Sequence, residues 1–408
     1  MFKFLDRLTP RQLILNGIFF ISLAVISAYV LLHSTADLYQ TDARVYYVAG
    51  KLLASGQISN IYNREFQDKL HQELVGRIQP ATYFINLPAV VLFFAPFTFL
   101  SFEDFYNLLV VLNTLLIGFT VHLLCQKLKI NNIVTSALIF YIPVASAIWH
   151  SQVTVIIFLI FAFAILNIKN PFVSGLFAGA LFLKPQYLLF APLLFFVVRS
   201  WDSRIKYLLG FASTFLVILI TNLVLYGPYV YQDYLQFLNN RDRNLVQMEM
   251  YQGYNVYSIA LFLDPIFGYK STFTLIFILQ LVLYLSALIL INKKVYLGNV
   301  HEAISAAVIF SLVLNFHTKY TDLLILVIPV LLLLGLYAKN IFADYKDRAA
   351  NVLPAKHLIV TSIILCVPVI CFLANYILGF LLLASCGFWL LLHGPTKSGT
   401  GSKIRQHT

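Results

Sequence analysis

The sequence predicts an all-α polytopic membrane protein, and three observations lead there. The 408 residues are 60% hydrophobic and only 11% charged, whereas soluble domains carry roughly 25% charged residues. Apolar runs of 15–25 residues recur along the whole chain with short polar breaks. The basic residues that give the formal charge of +11 gather in alternate breaks. A polar coat for a water-soluble fold is absent, so one membrane domain is expected rather than several soluble ones. The charge does not indicate a nucleic-acid partner, because its distribution follows membrane topology. Cys125, Cys366, Cys371 and Cys386 all lie in apolar segments without CxxC or metal-ligand spacing, so they read as small hydrophobes.

Backbone groups in lipid have to be satisfied internally, which makes apolar runs helices. The runs are 12–32, 104–125, 133–149, 152–168, 207–226, 272–292, 302–316, 322–337, 358–373 and 376–393. The first is longer than the core of a cleaved signal peptide, so a retained helix is expected. The run 172–198 is interrupted at Lys184-Pro185, where proline removes a helical donor. It is expected to form two short helices meeting at that point. The run 86–100 is short, carries Pro88 and Pro96, and is expected to dip into the membrane without crossing.

That arrangement gives about twelve crossings with both termini inside. Eighteen Lys and Arg then face the cytoplasm against five acids, with ten basic residues and twelve acids outside. This is the bias the positive-inside rule demands. Making 86–100 a crossing and 172–198 one helix would move Lys127 and Lys129 outside, so the first arrangement is preferred. Residues 1–393 form a single transmembrane domain, and 394–408 a basic cytoplasmic tail. Two long outer segments result, 34–103 and 227–271. In the first, Phe66, Leu70, Leu74 and Ile78 repeat every four residues, predicting a juxtamembrane helix lying flat at the surface. The second is rich in tyrosine (Tyr226, Tyr229, Tyr231, Tyr234, Tyr251, Tyr254 and Tyr257). An interfacial aromatic belt accounts for most of these, and a minority are candidates for stacking on a sugar.

In this topology Asp37, Asp42, Arg44, His150, Gln152, Lys184, Asn255, His317, Lys319 and Tyr320 converge on the outer side from distant stretches of sequence. Ionisable residues at membrane depth are functional candidates by default, because placing them there is costly. No glycine-rich nucleotide cradle, soluble Rossmann unit or Asp-x-Asp metal pair occurs. A cytoplasmic nucleotide-linked substrate is therefore disfavoured. No cofactor and no metal ligand set are expected.

The stretch Asp42-Ala43-Arg44-Val45-Tyr46-Tyr47, followed by Gly56 and Ile61-Tyr62, resembles the first outer loop of glycosyltransferase family 87, of the GT-C superfamily. Tyr83 to Pro88 with Ala95-Pro96 is similar to the element that follows, although its proline comes five residues after the tyrosine instead of two. Ser151-Gln152-Val153-Thr154 resembles a Gly-Gln-x-Asn element with Ser and Thr replacing Gly and Asn. Gly175 to Gly179 and then Leu183-Lys184-Pro185 resemble the glycine-rich short helix that ends in Lys-Pro. Asn255 and Ser258, and His317 and Tyr320, are similar to polar pairs of the later outer loops.

The resemblance implies an inverting enzyme that uses a polyprenyl-phosphate sugar, hexose and mannose-like, and a lipid or glycan acceptor outside the cytoplasm. Such transfer needs a base for the acceptor hydroxyl and cations or donors for the departing phosphate. Asp42 is the expected catalytic base. Arg44, Tyr46, His150, Gln152, Lys184, Asn255, His317, Lys319 and Tyr320 are the expected substrate-binding residues. The competing reading is a transporter or flippase of a lipid-linked substrate, which the missing internal repeat disfavours. A non-catalytic scaffold sits poorly with the charged loop after the first span. Membrane lipids, the lipid-linked sugar and its acceptor are the expected partners.

Overall fold

A computed structural model describes residues 41–75, 83–128, 141–239, 253–344, 355–373 and 376–392, with isolated positions between 21 and 29 and at 130 and 138. The described residues are mostly helical, and no strand occurs among them. Three helices are long and apolar enough to cross a membrane: Phe102–Leu128, Trp201–Tyr226 and Tyr269–Tyr296. Leu208, Leu209, Leu216, Val217, Ile220 and Val224 on the second, and Phe277, Ile278, Leu281, Val282, Leu285 and Ile289 on the third, point outward and are exposed. A continuous outer coat of large aliphatic side chains is stable against lipid and not against water. The chain is therefore membrane-integrated.

In chain order the helices are α1 (Ala43–Ala54), α2 (Arg64–Val75), α3 (Phe102–Leu128), α4 (Ile142–Trp149), α5 (Thr154–Leu166), α6 (Pro171–Ala180), α7 (Phe190–Val197), α8 (Trp201–Tyr226), α9 (Val230–Asn239), α10 (Ala260–Phe267), α11 (Tyr269–Tyr296), α12 (Val300–Val313), α13 (Val327–Asp344), α14 (Ala355–Leu373) and α15 (Tyr376–Leu392). The centre is α12, whose residues 302–313 are all buried and which packs against α7, α11, α13 and α15. Of the sequence-derived spans, 12–32 lies largely outside the described residues and 133–149 only partly within them.

Two predicted interruptions are present. Residues 172–198 become α6, a 3-10 turn over Leu181–Leu183, a second over Pro185–Leu189, and α7, with Lys184 extended between them. The segment 86–100 forms only the 3-10 turns Pro88–Phe93 and Ala95–Phe97. At about 2 Å per residue these span roughly 20 Å, less than the ~30 Å hydrocarbon core. Its broken backbone is tied to α8 where Asn222 Oδ1 accepts the Ala89 N–H at 2.7 Å, and Asn222 is fully buried.

The glycines of α6 have a packing explanation. A Cβ on Gly175 would strike the carbonyl of Tyr207, one on Gly179 that of Phe211, and one on Gly210 that of Phe172. The backbones of α6 and α8 touch, as a small-xxx-small stripe allows in a membrane. This fixes where α6 ends and where Lys184 sits. In α2 the structure departs from the expected surface helix. Phe66, Leu70 and Leu74 are half-buried, while Gln67, His71 and Val75 are buried against the rest of the protein. Gln67 explains the difference, because its amide donates to the Ile61 carbonyl at 2.5 Å and accepts the Phe84 N–H at 3.0 Å. Ile78 lies outside the described residues.

Candidate active site

A polar cluster sits where α1, the turn between α4 and α5, the Lys184 break and the 3-10 segment Tyr320–Leu326 meet. Asp42 is the N-cap residue of α1, half-buried and with no capping bond of its own. Its Oδ2 instead accepts a short hydrogen bond from Gln152 Nε2. Gln152 follows Ser151, the one described non-glycine residue with positive φ, at 50°. The left-handed turn there favours glycine, and it swings the Gln152 side chain toward Asp42. The other end of the same amide is held by Thr321, whose hydroxyl donates to Gln152 Oε1 at 2.7 Å. The amide is thus oriented from both sides, leaving Asp42 Oδ1 without a bond from it.

A second set of contacts continues inward. Thr154, the first residue of α5, donates to Asp322 Oδ1 at 2.8 Å. Lys184 Nζ lies 3.0 Å from both Thr154 Oγ1 and Asp322 Oδ1. Asp322 Oδ2 accepts the Lys319 backbone N–H at 2.8 Å. The Lys184 and Asp322 side chains are only 9% and 1% exposed, so this is a buried ion pair. Tyr187 completes it with its ring 5.2 Å from the ammonium. Lys184 was expected as a substrate cation, and two of its three donors are committed to the protein.

The remaining candidates are distributed around the cluster. Tyr46, one turn after Asp42, stacks on Phe94 at 4.3 Å, and its hydroxyl accepts the Val153 N–H at 3.4 Å. Burial, reinforced by the Asp42 charge, raises its pKa, so the phenol stays protonated. Arg44 is 1% exposed, and its Nε and Nη2 have no hydrogen-bond partner among the described residues. Burial lowers its pKa, and the Asp42 carboxylate opposes that shift. His71 of α2 faces this guanidinium. Burial first, and Arg44 second, push His71 down to about 4, so it is neutral at physiological pH. His317 is buried beside the same segment, Lys319 is exposed, and Tyr320 is half-buried with its ring 6.0 Å from Tyr254.

Two candidates have a local structural role. His150 stacks on Trp149 at 6.2 Å between ring centres. Asn255 is a helix cap, its Oδ1 accepting the Tyr257 N–H at 2.9 Å, while its buried Nδ2 is unpartnered among the described residues. Asp37 lies outside the described residues. Among those described, no group of three or more His, Cys, Asp or Glu comes together to hold a metal ion.

Sequence reasoning missed Asp322 and Thr321, and named Thr154 only as the last residue of the Gln152 element. Asp322 opens an apolar run and reads there as a helix-end acid. The signal that would have found it is electrostatic: Lys184 at membrane depth requires a carboxylate at the same depth.

The model of glycosyltransferase family 87 matches residues 84–329, more than half of the chain. The chain belongs to glycosyltransferase family 87. No curated protein and no solved structure matches it significantly. The matched segment contains Gln152, Thr154, Lys184, Thr321 and Asp322 but begins after Asp42 and Arg44. The hydrogen bond between Gln152 and Asp42 is one of several contacts that join residues 41–75 to the family segment, with Tyr46 on Phe94 and Gln67 on Phe84. As a member of this family the protein is a membrane glycosyltransferase.

Proposed function

We propose that the protein is an inverting hexosyltransferase that moves a mannose-like sugar from a polyprenyl-phosphate donor to a lipid or glycan acceptor. About twelve transmembrane helices, with 86–100 re-entrant, would place the Asp42 cluster at the extracytoplasmic face of the cell membrane. The observation that carries the reading is the Asp42 carboxylate, held by an oriented amide at the edge of a buried polar chain. Asp42 Oδ1 takes the proton of the acceptor hydroxyl as that oxygen bonds to the anomeric carbon. The bond from the anomeric carbon to phosphate oxygen breaks on the opposite face, and polyprenyl phosphate leaves with the electron pair. A single displacement inverts the anomeric configuration.

Asp322 is unsuited to a second catalytic carboxylate because it is buried and ion-paired. Charge on the departing phosphate falls to cationic and donor groups on the far side of the sugar. The third N–H of Lys184, the spare guanidinium donors of Arg44, and the His317–Tyr320 turn are the groups suited to it. Tyr46, His150 and Asn255 are assigned to substrate positioning. The test uses the purified full-length protein with synthetic polyprenyl phosphomannose and lipid extract as acceptor. Mass spectrometry should find free polyprenyl phosphate and a new hexosylated product of inverted configuration. Turnover of nucleotide sugars in place of the lipid donor would contradict the proposal.

A further inference from the structure

Residues 226–237 fold against residues 59–64 and leave a cleft of about 410 Å³ between them. That volume falls within the roughly 300–1,000 Å³ of small-molecule sites. One wall is aromatic, with Tyr62 lying 5.4 Å from Tyr226 and 5.6 Å from Phe237 between ring centres. The polar groups of the cleft include the planar ones of Arg64, Asp233 and Gln236. Arg64 lies over Phe237 at 5.5 Å and over Tyr83 at 5.8 Å, and its buried Nη2 has no hydrogen-bond partner among the described residues. Asp233 accepts the Tyr226 hydroxyl at 2.9 Å through Oδ2 alone, and Gln236 is exposed.

We infer that this cleft is a saccharide subsite that holds a neutral sugar of the acceptor. Sugars offer an apolar C–H face for aromatic rings and pairs of hydroxyls for forked planar groups such as guanidinium, carboxylate and amide. The cleft supplies both kinds of surface. Its charges, Arg64 and Asp233, cancel, so it has no surplus cation to hold a phosphate. That disfavours the lipid-phosphate end of the donor and favours a neutral sugar of the acceptor.

Two contacts in series link the cleft wall to the catalytic cluster. Tyr62 donates to the Asn86 carbonyl at 2.9 Å, and the Asn86 side chain lies beside the Tyr46 hydroxyl, one turn from Asp42. Calling the sugar an acceptor rests on the transfer reading above, whereas saccharide binding rests on the cleft itself.

Saturation-transfer NMR on the detergent-solubilised full-length protein tests the inference. The probes are methyl α-mannopyranoside, methyl β-galactopyranoside and mannose 1-phosphate. Ring protons of at least one neutral glycoside should be saturated by the wild type, and more strongly than those of mannose 1-phosphate. Gln236→Leu and Asp233→Asn should each cut the signal by about five-fold, the net worth of a hydrogen bond. Asp42→Asn should retain it. Gln236 is exposed, so its variant is expected to remain monodisperse and correctly folded. No saturation in the wild type, stronger saturation of mannose 1-phosphate, or equal saturation in wild type and both cleft variants overturns the subsite. Glycoside binding in a protein that transfers no sugar would sink the transferase reading and leave the subsite standing.

Discussion

Replacing Lys184 by methionine strands a carboxylate. Asp322 is 1% exposed and forms an ion pair with Lys184 Nζ at 3.0 Å. The hydroxyl of Thr154 and the N–H of Lys319 would remain, but neither is charged. Removing one member of a buried ion pair costs about 3–5 kcal/mol, while removing both charges with volume kept is often close to neutral. Lys184→Met and Asp322→Leu should therefore each destabilise by roughly that amount, and the double variant should recover most of the loss. The assay is equilibrium unfolding of all four proteins in mixed dodecylmaltoside and dodecylsulfate micelles. Single-variant losses that simply add in the double variant would show that the pair is not coupled. The cycle also separates two roles of Lys184. A double variant that is stable but inactive retains the case for a phosphate contact, and a stable, fully active one removes it.

Acid should weaken the first outer segment through His71. Its folded pKa of about 4 lies below its ordinary 6.5, so the unfolded chain binds the proton first. Stability is complete above pH 6.5 and declines as pH falls toward 4, by on the order of 3 kcal/mol in all. His71→Phe should flatten the thermal-stability profile across that window, and an unchanged slope would show that His71 is not the titrating group. In a background without native cysteines, Leu128→Cys should be labelled only from the cytoplasmic side and Asn60→Cys only from outside. External labelling of position 128 would overturn the re-entrant reading of 86–100. Gly210→Leu should separate α6 from α8, since even a Cβ meets the Phe172 carbonyl. It should cost at least about 1–3 kcal/mol, read as lost monodispersity on size exclusion.

What could be read from the sequence was whatever is encoded in runs and breaks. The spans corresponding to α3, α8 and α11 are continuous apolar stretches, and proline after Lys184 announces an interruption because it cannot donate a helical bond. The link between Gln152 and Asp42 was not legible, since it depends on a left-handed turn at Ser151 and joins residues 110 positions apart. Asp322 escaped for a related reason: a single acid at the head of an apolar run is ambiguous until its cation is located. Asn255, expected at the site, also caps a helix, and Gln67, off the four-residue apolar repeat of α2, anchors that helix. Such short-range bonding competes with functional roles for the same polar residue types, and spacing alone does not separate them.

In the proposed reaction Asp42 removes the acceptor proton. Asp42→Asn preserves the shape of the side chain and an acceptor oxygen for Gln152 while removing basicity. With polyprenyl phosphomannose as donor, single-turnover transfer by this variant is the decisive measurement. The rate should fall by roughly 100- to 10,000-fold, the usual contribution of general-base help, with donor binding little changed. A correctly inserted Asp42→Asn protein that transfers sugar at close to the wild-type rate would contradict the assignment.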